Sequence, residues 1–185
     1  MSTSDRAPSW ERESSVILVD PKDRRVGTAE KMAAHRSGQL HRAFSIFIVN
    51  RRGAIMLQRR APAKYHSPGL WSNTCCSHPR PGESILCAAH RRLGEEMGFD
   101  CSLTRAFAFR YHARLDRELI EHEYDHVLLG RYNSCPIPNL QEVDDWRWMT
   151  VDDLRNDLDM RPKSYTVWLK LAFTQLLAKG FLIPA

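Results

Sequence analysis

The chain has no apolar run long enough to cross a bilayer, its longest falling far short of the roughly 20 residues a membrane helix requires. The opening segment Met1-Ser-Thr-Ser-Asp-Arg-Ala-Pro-Ser-Trp10 lacks the apolar core of a secretory signal. No membrane association is expected, and the expected location is the cytoplasm. Cysteine is scarce: there are five, an odd number without zinc-finger spacing, which sets aside both a disulfide framework and a four-cysteine metal site. The vicinal pair Cys75-Cys76 is a poor candidate for a structural disulfide, and reduced thiols fit the same compartment. Internal repeats and low-complexity tracts are absent, which excludes solenoids and fibrous arrays. There is no helix-turn-helix, finger or RNA-binding signature, and the basic residues are scattered, so no nucleic-acid partner is expected.

What is present is ordinary globular material. With 185 residues, 43% hydrophobic and 26% charged, the chain can bury one real core. Lys and Arg number 27 against 22 Asp and Glu, and the sequence pI is near 9.1. That balance favours an anionic partner, and a small phosphorylated substrate suits it better than a polymer. Residues 1–11, polar and without a periodic apolar face, are expected to form a loose tail, leaving residues 12–185 as the domain. Strands are predicted at Ser14–Val19, Phe44–Val49, Ala54–Arg59, Ala106–Leu115, Glu123–Tyr132 and Asp145–Met149, with a hairpin turn at Arg51-Arg-Gly53. Helices are predicted at Glu83–Met97, Val151–Leu158 and Ser164–Leu177. In the first of these, Leu86, Ala89, Leu93 and Met97 share a face and Gly98 is placed to end it. Pro136-Ile-Pro138 marks a loop. The expected class is α/β (α+β): one domain with a mixed sheet flanked by helices.

The chemistry-bearing segment is Asn73-Thr-Cys-Cys-Ser-His-Pro79, followed by Gly82-Glu83 and Arg91-Arg-Leu-Gly-Glu-Glu-Met-Gly-Phe99. It resembles a Nudix box, in which Gly, five residues, Glu and seven residues precede Arg-Glu-apolar-x-Glu-Glu-x-Gly. Here Ser77 stands for the glycine, and Arg92 for a glutamate that binds metal in hydrolytic members. Glu96 is retained, a carboxylate suited to Mg²⁺ that also touches phosphate oxygens. By itself an acidic pair such as Glu95-Glu96 reads better as a solvated helix end.

Further segments bring a closer resemblance, covering nearly the whole chain from Lys31 onward. They are Glu30-Lys-Met-Ala-Ala-His35, Leu40-His41, Arg59-Arg60 with Lys64, Pro68-Gly-Leu-Trp71 and Glu121-His-Glu123-Tyr-Asp125. Together and in this order they resemble the type I isopentenyl-diphosphate Δ-isomerases of the Nudix superfamily. That resemblance implies interconversion of isopentenyl and dimethylallyl diphosphate, the five-carbon isoprenoid precursors. Such a reaction adds a proton to one carbon and removes one from another through a tertiary carbocation, so it needs an acid, a base and cation stabilisation.

By resemblance, Cys76 and Glu123 are the proton-transfer pair and Tyr111 lies with them. Cys75 is the rival thiol, whose blander role is that of a small buried hydrophobe. His35, His41, His78, Glu121 and Glu123 would form a nitrogen-and-oxygen shell for one divalent ion, Mn²⁺ or Zn²⁺. In a strand Glu121 and Glu123 project to one face while His122 faces away. Lys31, Arg60, Lys64 and Ser77 would contact the diphosphate, and Glu96 would hold its Mg²⁺. For each cation alone, solvated surface charge is the commoner fate, and the role of Arg92 stays open. Trp168 and Tyr111 would line the carbon chain, whereas Trp71, Trp146 and Trp148 are equally explained by packing. The chain is expected to be a monomer or homodimer. Two other readings stand beside the isomerase: a Nudix pyrophosphohydrolase, weakened by Arg92, and a noncatalytic anion- or metal-binding domain.

Overall fold

The near-continuous apolar run Ala43-Phe-Ser-Ile-Phe-Ile48 is what a strand covered on both faces requires. It lies in the middle of a nine-stranded mixed sheet. The computed structural model describes residues 15–182. The tail expected at residues 1–11, and Ser14 of the first predicted strand, lie outside that range.

The strands are β1 (Ser15–Val19), β2 (Arg25–Glu30), β3 (His41–Val49), β4 (Ile55–Arg60), β5 (Trp71–Ser72), β6 (Cys75–Ser77), β7 (Leu103–Arg114), β8 (Ile120–Arg131) and β9 (Val143–Met149). The helices are α1 (Lys31–Ser37), α2 (Ile85–Met97), α3 (Val151–Met160) and α4 (Val167–Ala178), with short 3₁₀ turns at Asp116–Glu118 and Pro162–Ser164. Strand β3 runs parallel to β8, from His41 opposite Glu123 to Val49 opposite Arg131. It is antiparallel to β6 on its other side and to β4 at its end. Strands β7 and β8 form a long antiparallel pair, while β4 pairs with β5 and β9.

Two apolar layers sandwich this sheet. On one face Phe44, Ile46 and Ile48 pack with Ala89, Leu93 and Met97 of α2. On the other, Phe47, Ile55, Leu57 and Val127 pack with Leu154 of α3 and Leu169, Phe173 and Leu176 of α4. Among the described residues no helix is long and apolar enough to cross a membrane.

The predicted elements are all found, with shifted ends. The Ser84 hydroxyl accepts from the Cys87 amide, so α2 starts at Ile85, two residues later than Glu83. Helix α4 starts at Val167, because the 3₁₀ turn Pro162–Ser164 occupies the segment before it. The turn after β3 is closed by Asn50, whose Oδ1 accepts from Arg52 N and Ala54 N, with Gly53 at φ +76°. The segment around Pro136-Ile-Pro138 is indeed a loop, and it caps α2: Ile137 N donates to Met97 O and Asn139 N to Glu96 O.

Candidate functional site

Helix α1 is short but firmly started. Glu30 accepts from the amides of Met32 and Ala33, and Gly38 at φ +65° ends the helix. Lys31 and His35 are thus one turn apart on one face, and His35 Nδ1 donates to Lys31 O at 2.7 Å. His41 opens β3, its Nδ1 donating to Gln39 O at 2.8 Å. In both rings the Nδ1–H is committed to a carbonyl, so in the neutral form the lone pair is on Nε2. Both Nε2 atoms are buried without a hydrogen-bond partner, as is Glu121 Oε2.

Strand alternation gathers the other groups. On β8, Glu121, Glu123 and Asp125 point inward, while His122 turns out and donates from Nδ1 to Gly38 O. The parallel register sets His41 beside Glu123, and β7 sets Tyr111 opposite it. His78, just beyond β6, brings Nε2 to 2.8 Å from Glu123 Oε1, and the Tyr111 hydroxyl donates to Glu123 Oε2 at 2.6 Å. The ligand atoms of His35, His41, His78, Glu121 and Glu123 all lie within 4.8 Å of one another. Three orphaned atoms converging in such a cluster fit a divalent cation, because burial without partners is costly unless something else meets them.

Protonation follows from this packing. Burial disfavours charge on His35, but the Glu121 carboxylate 3.3 Å from its Nε2 outweighs it and raises the pKa. Burial and the neighbouring His41 hold His78 well below the usual histidine value. Burial works against the Glu123 carboxylate, yet His41 beside it and the Tyr111 hydroxyl keep its pKa lowered. Asp125, one pleat further along, accepts from Ser45 Oγ at 2.8 Å, and burial with the Glu123 charge pushes its carboxyl well up.

Strand β6 separates the two thiols. Cys75, fully buried, joins the core under α2, whereas Cys76 faces a pocket that it shares with Glu123, Tyr111, Ser77, Trp168 and the cations Lys31, Arg60 and Lys64. Burial pushes the Cys76 thiol up to about 12, so it stays protonated near neutrality. An unperturbed cysteine, at about 8.5, would lie much closer to neutrality. Its backbone is pinned by Asn73, whose Nδ2 donates to Cys75 O and Ile46 O. One wall is fixed by Trp168, whose Nε1 donates to Ser72 Oγ at 2.9 Å, with the Arg60 guanidinium 5.3 Å from the indole.

The basic end of the pocket is already cross-linked. Arg92 donates to Glu96 Oε1 at 2.6 Å and Glu142 Oε1 at 2.9 Å, Lys64 donates to Glu142 Oε2, and Gln58 Nε2 donates to Glu96 Oε2 at 2.9 Å. Burial works against Glu142, but Lys64 and Arg92 outweigh it and bring its pKa to about 2. Burial, with Lys64 and Arg92 nearby, lowers Lys31 to about 8. Sequence reasoning missed Glu142 and Gln58, and also His66 and Tyr65, which line the pocket. No local pattern marks them, since their partners are distant in the chain: 78 residues separate Lys64 from Glu142, and 38 separate Gln58 from Glu96.

The chain resembles known proteins over most of its length. Residues 39–169 match the NUDIX domain family. The chain is 52% identical over 166 residues to isopentenyl-diphosphate Delta-isomerase 2 of Aromatoleum aromaticum, covering 90% of this chain and 88% of that protein. It is 54% identical over 155 residues to isopentenyl-diphosphate Delta-isomerase 2 of Photorhabdus laumondii, covering 84% and 88%. The crystal structure of DR0079 from Deinococcus radiodurans superposes with a TM-score of 0.68 at 21% identity, over 80% of this chain and 90% of that one, a likeness of fold.

Proposed function

Since this chain belongs to the NUDIX domain family and, within it, to the isopentenyl-diphosphate Delta-isomerases, we propose how its own residues divide the work of that reaction. The chain is an isomerase acting on a small diphosphate, interconverting isopentenyl and dimethylallyl diphosphate. The observation that carries the mechanism is that Cys76 and Glu123 open onto one pocket whose other end is cationic.

Cys76 and Glu123 are the proton-transfer pair. One delivers a proton to a terminal carbon and the other takes one from the carbon next to the tertiary centre. The pair must differ in protonation at the outset. Burial supports a thiol at Cys76, while the lowered pKa of Glu123 supports a carboxylate. Tyr111, donating to Glu123 Oε2, orients that carboxylate. The face of Trp168 and the ring of Tyr111 offer electron density to the tertiary cation without a nucleophile that would trap it. Lys31, Arg60, Lys64 and Ser77 hold the diphosphate.

His35, His41, His78, Glu121 and Glu123 would hold Mn²⁺ or Zn²⁺, a mixed donor set that suits either ion. Bound there, the ion would anchor Glu123 and lower its proton affinity. Glu96 is proposed to carry Mg²⁺ with the diphosphate, which requires Arg92 to give up Glu96 Oε1 for phosphate oxygens. The proposed setting is the cytoplasm, where all five cysteines remain the free thiols seen here.

Incubating the protein with isopentenyl diphosphate and Mg²⁺ in deuterated water, and following alkene and methyl protons by NMR, tests this reading. Deuterium-bearing dimethylallyl diphosphate is the expected product. Released phosphate or pyrophosphate would instead establish a hydrolase.

A further inference from the structure

The loop between β4 and β5 aims one more histidine at the cluster. The loop is closed at its neck by Gly69 N donating to Arg60 O and Arg60 N donating to Leu70 O. Within it Ser67 sits at φ +48°, a conformation L residues rarely adopt, so the backbone is held against its own preference. His66, the residue before it, is buried. Its ring stands edge-on to Trp168 at 5.6 Å and stacks toward His35 at 6.0 Å. His66 Nε2 lies 3.1 Å from Glu121 Oε1, the oxygen opposite the unpartnered Oε2 that faces His35.

We infer that His66 is a positioning residue: its imidazole holds Glu121 Oε1 so that Oε2 alone is presented to the metal. The inference rests on reading the five-residue cluster as a metal centre. A carboxylate oxygen can only accept, so this role requires His66 to carry its proton on Nε2, 3.1 Å from that oxygen. A ligand carboxylate fixed in this way cannot rotate or swing to chelate with both oxygens, and such outer partners typically govern metal affinity by about 10–100-fold. His66 also supports the diphosphate end, but through its backbone, since Arg60 donates to His66 O at 3.1 Å. The two contributions are therefore separable: a side-chain change removes the first and keeps the second.

The test compares the full wild-type chain with His66→Phe, His66→Gln and His66→Asn. Zn²⁺ affinity is measured by competition with a chromophoric chelator, and KM for isopentenyl diphosphate at saturating Zn²⁺. Phenylalanine keeps the ring packing but lacks the donor, and should weaken Zn²⁺ binding by about 10–100-fold. Glutamine places an amide N–H near the Nε2 position and should restore affinity, whereas the shorter asparagine should not. Because the ring also lines the pocket, Zn²⁺ affinity and not KM is the deciding readout, the carbonyl on Arg60 being retained in every variant. Wild-type affinity in His66→Phe, or equal loss in the glutamine and asparagine variants, would overturn the inference. Should His66→Phe not fold, the glutamine and asparagine pair decides it. A wild-type chain that takes up neither Zn²⁺ nor Mn²⁺ overturns the metal centre itself, and the inference with it.

Discussion

Cys75 and Cys76 are adjacent in the chain, yet strand alternation sends one into the core and the other into the pocket. Replacing Cys76 by Ala, or Glu123 by Gln, should lower kcat by about 10²–10⁴-fold or more while the circular dichroism spectrum is unchanged. Cys75→Ala should leave kcat within about threefold and instead cost about 1 kcal/mol of stability, read from denaturant melts, as loss of a small buried group does. Lys31 gives a pH prediction. Its folded pKa, lowered to about 8, means that it is cationic below that pH and neutral above it. Binding of the anionic head should therefore weaken as pH rises through about 8, and kcat/KM, which reports the free enzyme, should fall there. Lys31→Arg keeps its charge at any of these pH values, so that limb should move upward. A profile flat to pH 10 in both forms would remove Lys31 from the binding site.

Gly98 shows how an element boundary reaches the site. It lies at φ +71°, and a Cβ there would stand 2.1 Å from Ile137 O. The clash would lift the loop that brings Glu142 to Lys64 and Arg92. Gly98→Ala should thus destabilise the chain by about 2–4 kcal/mol in a thermal or urea melt and raise KM for the diphosphate. Helix α2 was legible in the sequence because Ala89, Leu93 and Met97 keep helical spacing on a buried face, and Gly98 ends it as expected, although Leu86 of the same series is exposed. Strand β2 and helix α1 were not legible. Most of β2 is exposed, so no alternation writes itself into Arg25-Val-Gly-Thr-Ala-Glu30, and α1 has seven residues, too few for a period. Strands β5 and β6, of two and three residues, owe their conformation to pairing with β4 and β3 instead of to any pattern of their own.

Across the whole molecule the proposed ligand set spans His35 to Glu123, and its order along the chain is what resemblance could read. The supports could not be read that way, because His66 and Glu142 acquire meaning only when the sheet brings distant segments together. If the cluster holds an ion, stripping it with a chelator should lower the melting temperature. At ion concentrations about 100 times Kd the stabilisation is about 2.7 kcal/mol. That corresponds to a shift of roughly 5–10 °C for a chain of this size, recoverable by adding back Zn²⁺ or Mn²⁺. The parallel pairing of β3 with β8 has a kinetic consequence. Ser45 bonds Asp125 across 80 residues of chain, so the two strands meet only after a long loop has closed. His41 and Glu123 are partners in that same pairing, so an ion has no chelating nest to nucleate around before the slow step is over. Stopped-flow mixing should accordingly find refolding rates indifferent to Zn²⁺ and unfolding rates slowed by it, the ion acting as a latch on a door already shut.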